Sequence, residues 1–258
     1  MIETKKVEPT HPLEDGLTDR QERLEGFRQE ALRRLKVVLV GAGGLGGEIG
    51  EGLARKGVGE LTILDGDRVT LSNLNRQHFY ARDLYQNKAK RLAANLKREA
   101  LCGSRIAGHP LPFEEALETG IDLACDVAVI GVDSNPCRAA AARHFYAKGV
   151  PAVFTAVSMT ANNGYVFVQE PGGACIGCLF PDALNDEKTP CPGVPAVKDI
   201  LKVMAGVVLY AVDSLVMERP RAWNYRDLFL DGSAPDRIMN IPRGAGCPLC
   251  RDLTPWTV

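Results

Sequence analysis

Neither sign of charge is in surplus in this chain. Its 31 lysines and arginines balance 32 acidic residues, for a net charge of -1. That argues against nucleic acid or an anionic membrane surface as the main partner. Long apolar runs are also missing. The longest stretch, Ile200 to Met217, is interrupted by Lys202 and Asp213, so it reads as a buried helix and not as a membrane span. Met1 to Lys6 is polar with no apolar core behind it. No export signal is therefore expected, and a reducing, cytoplasmic setting is. Internal repeats and low-complexity segments are absent as well.

What is present is ordinary for a globular protein. With 258 residues, 45% of them hydrophobic and 24% charged, the chain can build one large α/β domain or two small ones without staples. The segment up to about Leu17 carries two prolines and no apolar periodicity and reads as a loose tail. Thr18 to Leu35 reads as a helix through Leu24, Phe27, Leu32 and Leu35. A strand–helix alternation follows. Strands are expected at 37–40, 61–64, 127–130 and 152–157, and helices at 45–56, 87–101 and 135–148. Such alternation predicts an α/β, doubly wound Rossmann-like sheet whose first half is parallel. The rhythm then changes. An Asn162-Asn163-Gly164 turn should send a strand back over 164–169. A loop over 171–195 and a long helix come next, then final strands at 223–230 and 238–242, which makes the second half mixed or antiparallel.

Gly41-Ala42-Gly43-Gly44-Leu45-Gly46 follows the first strand and opens a helix. Glycines at that place permit a tight turn and close approach of a phosphate to backbone amides at a helix N-terminus. Asp65 ends the second strand, where a carboxylate can accept from ribose hydroxyls. By itself this pattern also fits an NAD- or FAD-dependent oxidoreductase. The residues beyond it fit a triphosphate better. Arg76 follows the second strand in a loop, Lys88 opens a helix, and Asp133 closes the strand at 127–130. Splitting ATP between its first and second phosphates leaves charge on the pyrophosphate, and that charge calls for cations and a magnesium ion held by an acid.

Taken in order, Gly-Ala-Gly-Gly-Leu-Gly, Asp65-Gly66-Asp67, Ser72-Asn73-Leu74-Asn75-Arg76-Gln77 and Asp133-Ser134-Asn135 resemble the adenylation domain of the ThiF/MoeB/HesA family of the ubiquitin-activating superfamily. The resemblance runs from about residue 18 to 250. It implies an ATP-dependent adenylyltransferase that activates the C-terminal carboxylate of a small ubiquitin-like sulfur-carrier protein ending in Gly-Gly. It implies Gly44 near the phosphates and Asp65 on the ribose. It places Asn73, Arg76 and Lys88 on the phosphates, Asp133 on magnesium, and Gln77 in support of the same loop. Arg20, in Arg20-Gln21, matches the family's N-terminal arginine, which reaches into the partner subunit's site, so the resemblance also implies a homodimer. A nucleotide-binding half of about 36–157 and a carrier-binding half of about 158–258 follow from it. A relative that activates another carboxylate, or a non-catalytic scaffold subunit, remains an alternative.

Two Cys-x-x-Cys pairs, Cys175/Cys178 and Cys247/Cys250, have the spacing of a structural zinc site made of four cysteines. Their separation of about 70 residues exceeds a compact zinc ribbon and predicts a clip that ties the end of the chain back to the loop before the long helix. The family has the same arrangement. Cys191, in Thr189-Pro190-Cys191-Pro192, matches the crossover-loop cysteine of relatives except for the intervening Pro190, and is the candidate thiol nucleophile. Cys102, Cys125 and Cys137 are expected to be buried small apolar residues.

Overall fold

The computed structural model describes residues 16–181, 195–217 and 219–251. Eight strands form one sheet: β1 (Lys36–Val40), β2 (Glu60–Leu64), β3 (Arg105–His109), β4 (Val127–Ile130), β5 (Ala152–Val157), β6 (Asn163–Gln169), β7 (Tyr225–Phe229) and β8 (Arg237–Met239). Their spatial order is β3-β2-β1-β4-β5-β6-β7-β8. Pairing is parallel from β3 through β5 and antiparallel from β5 through β8. The helices are α1 (Asp19–Glu22), α2 (Gln29–Arg34), α3 (Gly44–Lys56), α4 (Lys88–Leu96), α5 (Phe113–Glu118), α6 (Asn135–Ala147), α7 (Ile176–Leu179) and α8 (Lys198–Val216). No helix among the described residues is long and apolar enough to cross a membrane.

The central parallel strands run apolar from Val37 to Val40 and from Val127 to Ile130 because both faces are covered there. Side chains alternate across a strand, so β1 sends Val37 and Leu39 into one core and Val38 and Val40 into the other. In the same way β4 sends Val127 and Val129 one way and Ala128 and Ile130 the other. The first core includes the buried faces of α3, α4 and α8, and the second those of α5 and α6. Each fully buried Val or Leu contributes about 1.5–3 kcal/mol, which fixes the register of these central strands. Helix α8 buries Ile200, Leu201, Met204, Ala205, Val208, Ala211 and Val212, a stripe at helical spacing. Its one buried acid, Asp213, is paired by both Lys56 and Arg219.

Several expectations need correction. The helix expected over 18–35 is two short helices, α1 and α2, separated at Gly26, whose φ of +77° suits glycine alone and stops a helix. The returning hairpin does not turn at Asn162-Asn163-Gly164. The amide of Ser158 donates to the carbonyl of Asn163 and that of Ala161 to Ser158, so the turn lies before it and Gly164 already pairs with Val157. The segment over 171–195 is not all loop, since α7 lies within it. Helix α4 is shorter than 87–101. Strand β3 and helix α5 were not anticipated. β3 is a half-exposed edge strand, Arg-Ile-Ala-Gly-His, with only Ile106 buried, and α5 has only six residues.

Candidate active site

Because β2 and β4 lie on opposite sides of β1, the loops at the carboxyl ends of these strands open a crevice. A cavity of about 1100 Å³ occupies it. Its floor is the glycine turn. The amide of Gly41 donates to Leu64 at 2.9 Å, and that of Ala42 to Asp65 Oδ2 at 2.7 Å. Two glycines here have distinct duties. A methyl on Gly46 would lie 1.9 Å from the carbonyl oxygen of Gly41, so this glycine lets α3 seat against its own turn. Gly43, which lines the cavity, has open space where a side chain would be. As N-cap it offers no capping side chain to α3. The first-turn amides are therefore left without a side-chain cap beside the cavity that Gly43, Gly44 and Leu45 line, the arrangement of an anion site with the helix dipole behind it.

Asp65 accepts from Ala42 and also from the amide of Asp67 at 2.8 Å. Burial raises its carboxyl above the usual range, outweighing the N–H donation and the nearby Lys88 charge that lower it. Asn87 stitches the next wall in place. Its side chain caps α4 by accepting from the amide of Lys90 at 3.0 Å and donates to the carbonyls of Asp65 and Asp67 at 2.8 and 3.0 Å. That fixes Lys88 at the cavity, with Nζ 2.8 Å from Asp67 Oδ2. The lysine is largely covered and Asp67 is exposed.

A one-turn 3-10 helix, Leu71–Asn73, starts the Arg76 loop. Asn73 is buried, and its oxygen accepts from the amide of Thr70 at 2.9 Å. Arg76 donates to the carbonyl of Ser72 at 2.6 Å and to Asn75 at 3.0 Å, which pins its guanidinium at the rim. Buried Gln77 also lines the cavity, and its Oε1 has no partner. On the β4 side, Ser134 caps α6 by accepting from the amide of Cys137 at 3.3 Å. Asp133 is thus spared the capping duty and stands exposed on the cavity wall.

Gly41, Gly43, Gly44, Asp65, Asp67, Asn73, Arg76, Gln77, Lys88 and Asp133 therefore share one cavity. Gly46 lies beneath it. Arg20 is exposed on α1, and its neighbour Gln21 donates to the carbonyl of Lys56. That is the far end of α3, some 20 Å from the glycine turn by helical rise. Arg20 therefore does not join the cavity of its own chain. Cys191 lies outside the described residues.

The ThiF family model matches residues 18–222 of this chain. The chain belongs to the ThiF family. A sulfur carrier protein adenylyltransferase of Thermus thermophilus is 34% identical over 236 residues, which cover 87% of this chain and 85% of that protein. The molybdopterin-synthase adenylyltransferase of Escherichia coli is 30% identical over 253 residues, covering 90% and 94% of the two chains. Among solved structures, E. coli MccB crystallised with ATP superposes with a TM-score of 0.73 at 18% identity, over 87% of this chain and 69% of MccB; this shows the shared fold.

Within this ThiF-family fold the four paired cysteines also converge. Sγ separations are 3.8 Å for Cys175–Cys178, 3.4 Å for Cys175–Cys247 and 3.6 Å for Cys178–Cys250, and all four lie within 4.8 Å of one another. A tetrahedron of thiolates around zinc has edges of about 3.8 Å, so the donor set and its spacing fit a metal ion. Although burial opposes it, the amides of Cys250 and Leu249 and the neighbouring thiols bring the Cys247 thiol down to about 7. Of the other cysteines among the described residues, Cys137 is buried, while Cys102 and Cys125 are half-buried. Burial pushes the thiols of Cys125 and Cys137 up to about 12, which leaves them unreactive.

Among the cavity residues that escaped the sequence reading, one carries a charge on the β4 side. Arg138, in the first turn of α6, donates to Asn135 Oδ1 at 2.7 Å and to the carbonyl of Val132 at 2.5 Å. Its spacing from Asn135 on a helix start was the signal available, since residues three apart share a face.

Proposed function

We propose that this chain is an ATP-dependent adenylyltransferase that activates the C-terminal carboxylate of a small ubiquitin-like carrier protein. The observation that carries this reading is the meeting, in one cavity, of an uncapped helix N-terminus, two pinned cations and an exposed carboxylate at successive strand ends. A redox dinucleotide needs the first of these but not the rest. The carrier's carboxylate is already ionised, so the step requires no side-chain base. A bond forms between that carboxylate oxygen and the α-phosphorus of ATP. The bond from the α-phosphorus to the oxygen shared with the β-phosphate breaks, and pyrophosphate leaves with the bonding pair.

This chain's residues serve that step by placement and charge. The amides of α3 and Gly43 receive the phosphates. Asp65 accepts from the ribose. Arg76 and Lys88 neutralise the leaving pyrophosphate, with Lys88 exchanging Asp67 for a phosphate oxygen. Asp133 is the residue that would hold magnesium, which supplies further charge neutralisation when bound. The four cysteines would hold zinc with every coordination position filled by protein, a structural role. Free thiolates in such a site suit a reducing compartment such as the cytoplasm. Arg20 is proposed to act in trans in a homodimer, consistent with its place away from its own cavity.

The test is pyrophosphate–ATP exchange with carriers ending in Gly-Gly. Exchange in the wild type that persists in Cys191→Ala places the adenylate before any thiol chemistry. No exchange with any such carrier favours a scaffold role.

A further inference from the structure

Glu48 sits on α3, one turn beyond the phosphate-binding glycines, and does not line the cavity. Its side chain is 5% exposed. A carboxylate this deep is costly unless paired, and two basic side chains from separate segments come to it. Lys198 Nζ is 2.5 Å from Glu48 Oε1, and His78 Nε2 is 3.3 Å from the same oxygen; these are close electrostatic contacts, neither with the alignment of a hydrogen bond. Lys198 is the first residue of α8, and Ala196 and Leu201 on either side of it line the cavity. His78 follows Arg76 and Gln77 in the loop that carries the phosphate-facing guanidinium. The ring packs so close to α3 that a methyl on Gly47 would lie 3.0 Å from its Cδ2, and the carbonyl of His78 accepts from Asn95 at 3.1 Å.

Three pieces of the cavity wall thus meet on one buried acid: the helix behind the glycine turn, the Arg76 loop and the start of α8. None of the three is joined to another by sheet hydrogen bonds. We propose that Glu48 is a positioning residue for the triphosphate. Its charge holds the Arg76 loop, through His78, and the start of α8, through Lys198, against the phosphate-binding end of α3. The inference rests on the reading of this cavity as an ATP site. It adds a device that sets where the β- and γ-phosphates are met, while leaving the ribose and the first phosphate to Asp65 and the helix amides.

The test compares nucleotide binding by calorimetry in wild type, Glu48→Gln and Lys198→Met, with ATP and AMP as probes and thermal unfolding alongside. Glu48→Gln keeps the shape and removes the charge. Lys198→Met changes a half-exposed side chain that the fold can spare. Both variants are expected to weaken ATP on the order of tenfold and to leave AMP unchanged. Combined, they should weaken ATP little more than Glu48→Gln alone, because that change already removes the Lys198 contact. Equal weakening of ATP and AMP, in step with a lower Tm, would mean a merely structural ion pair and would overturn the proposal, as would unchanged ATP affinity. Failure of the wild type to bind ATP at all would instead overturn the adenylation reading on which it stands.

Discussion

At the scale of single residues, the site depends on side chains that the backbone has already committed. Asp65 shows the consequence. Burial raises its carboxyl, so the folded chain keeps that proton to higher pH than the unfolded chain does. Its contribution to stability is present below the ordinary carboxylate range and lost as pH rises through the raised value. Binding runs the other way, because the ionised form is the better acceptor for ribose hydroxyls. Affinity for ATP should therefore fall on acidification before ordinary carboxylates titrate, and 2′-deoxy-ATP should show a weaker dependence. Nucleotide titrations across mildly acidic pH check both. Tyr85 poses a different case. It adopts φ +66° while 74% exposed, a conformation that costs an L-residue about 1–2 kcal/mol. Tyr85→Asn forfeits little packing and is expected to raise stability by about 0.5–1 kcal/mol, seen as a Tm higher by roughly 1–4 °C.

At the scale of elements, legibility in the sequence tracked burial. Strands β1, β2, β4 and β5 announced themselves because their central positions are covered on both faces and run mostly apolar. β3 did not, since an edge strand with one buried residue carries no pattern. The break at Gly26 was hidden because Leu24 and Phe27 keep helical spacing across it. The glycine turn, Asp65, Arg76, Lys88 and Asp133 could be read because each sits at a strand end or helix start whose place the sequence marks. The Glu48 cluster could not, since it joins segments distant in sequence; Arg138, whose partners Asn135 and Val132 lie within six residues of it, left only its helical spacing as a signal. The cysteine clip was legible from spacing alone, and it closes a large loop. Its removal should be felt as loss of folding energy. We expect one zinc per chain by metal analysis. Chelation or Cys250→Ser should lower Tm and loosen the end of the chain to proteolysis, while ATP affinity falls less than Tm suggests.

At the scale of the whole molecule, the sheet divides labour by strand direction. The parallel part brings strand ends and helix starts to one edge and makes the cavity proposed to take the nucleotide. The antiparallel part extends the sheet, and the clip packs against the second core through Cys175, Cys247 and Cys250. The central claim is that the cavity transfers an adenylyl group to a carboxylate. The most direct measurement is the intact mass of a carrier ending in Gly-Gly after a single turnover with ATP and magnesium. The account predicts a carrier heavier by one adenylyl group with the wild type, and at least about 100-fold less of it with Asp133→Ala or Arg76→Ala. An adenylylated carrier formed equally well by both variants would contradict it.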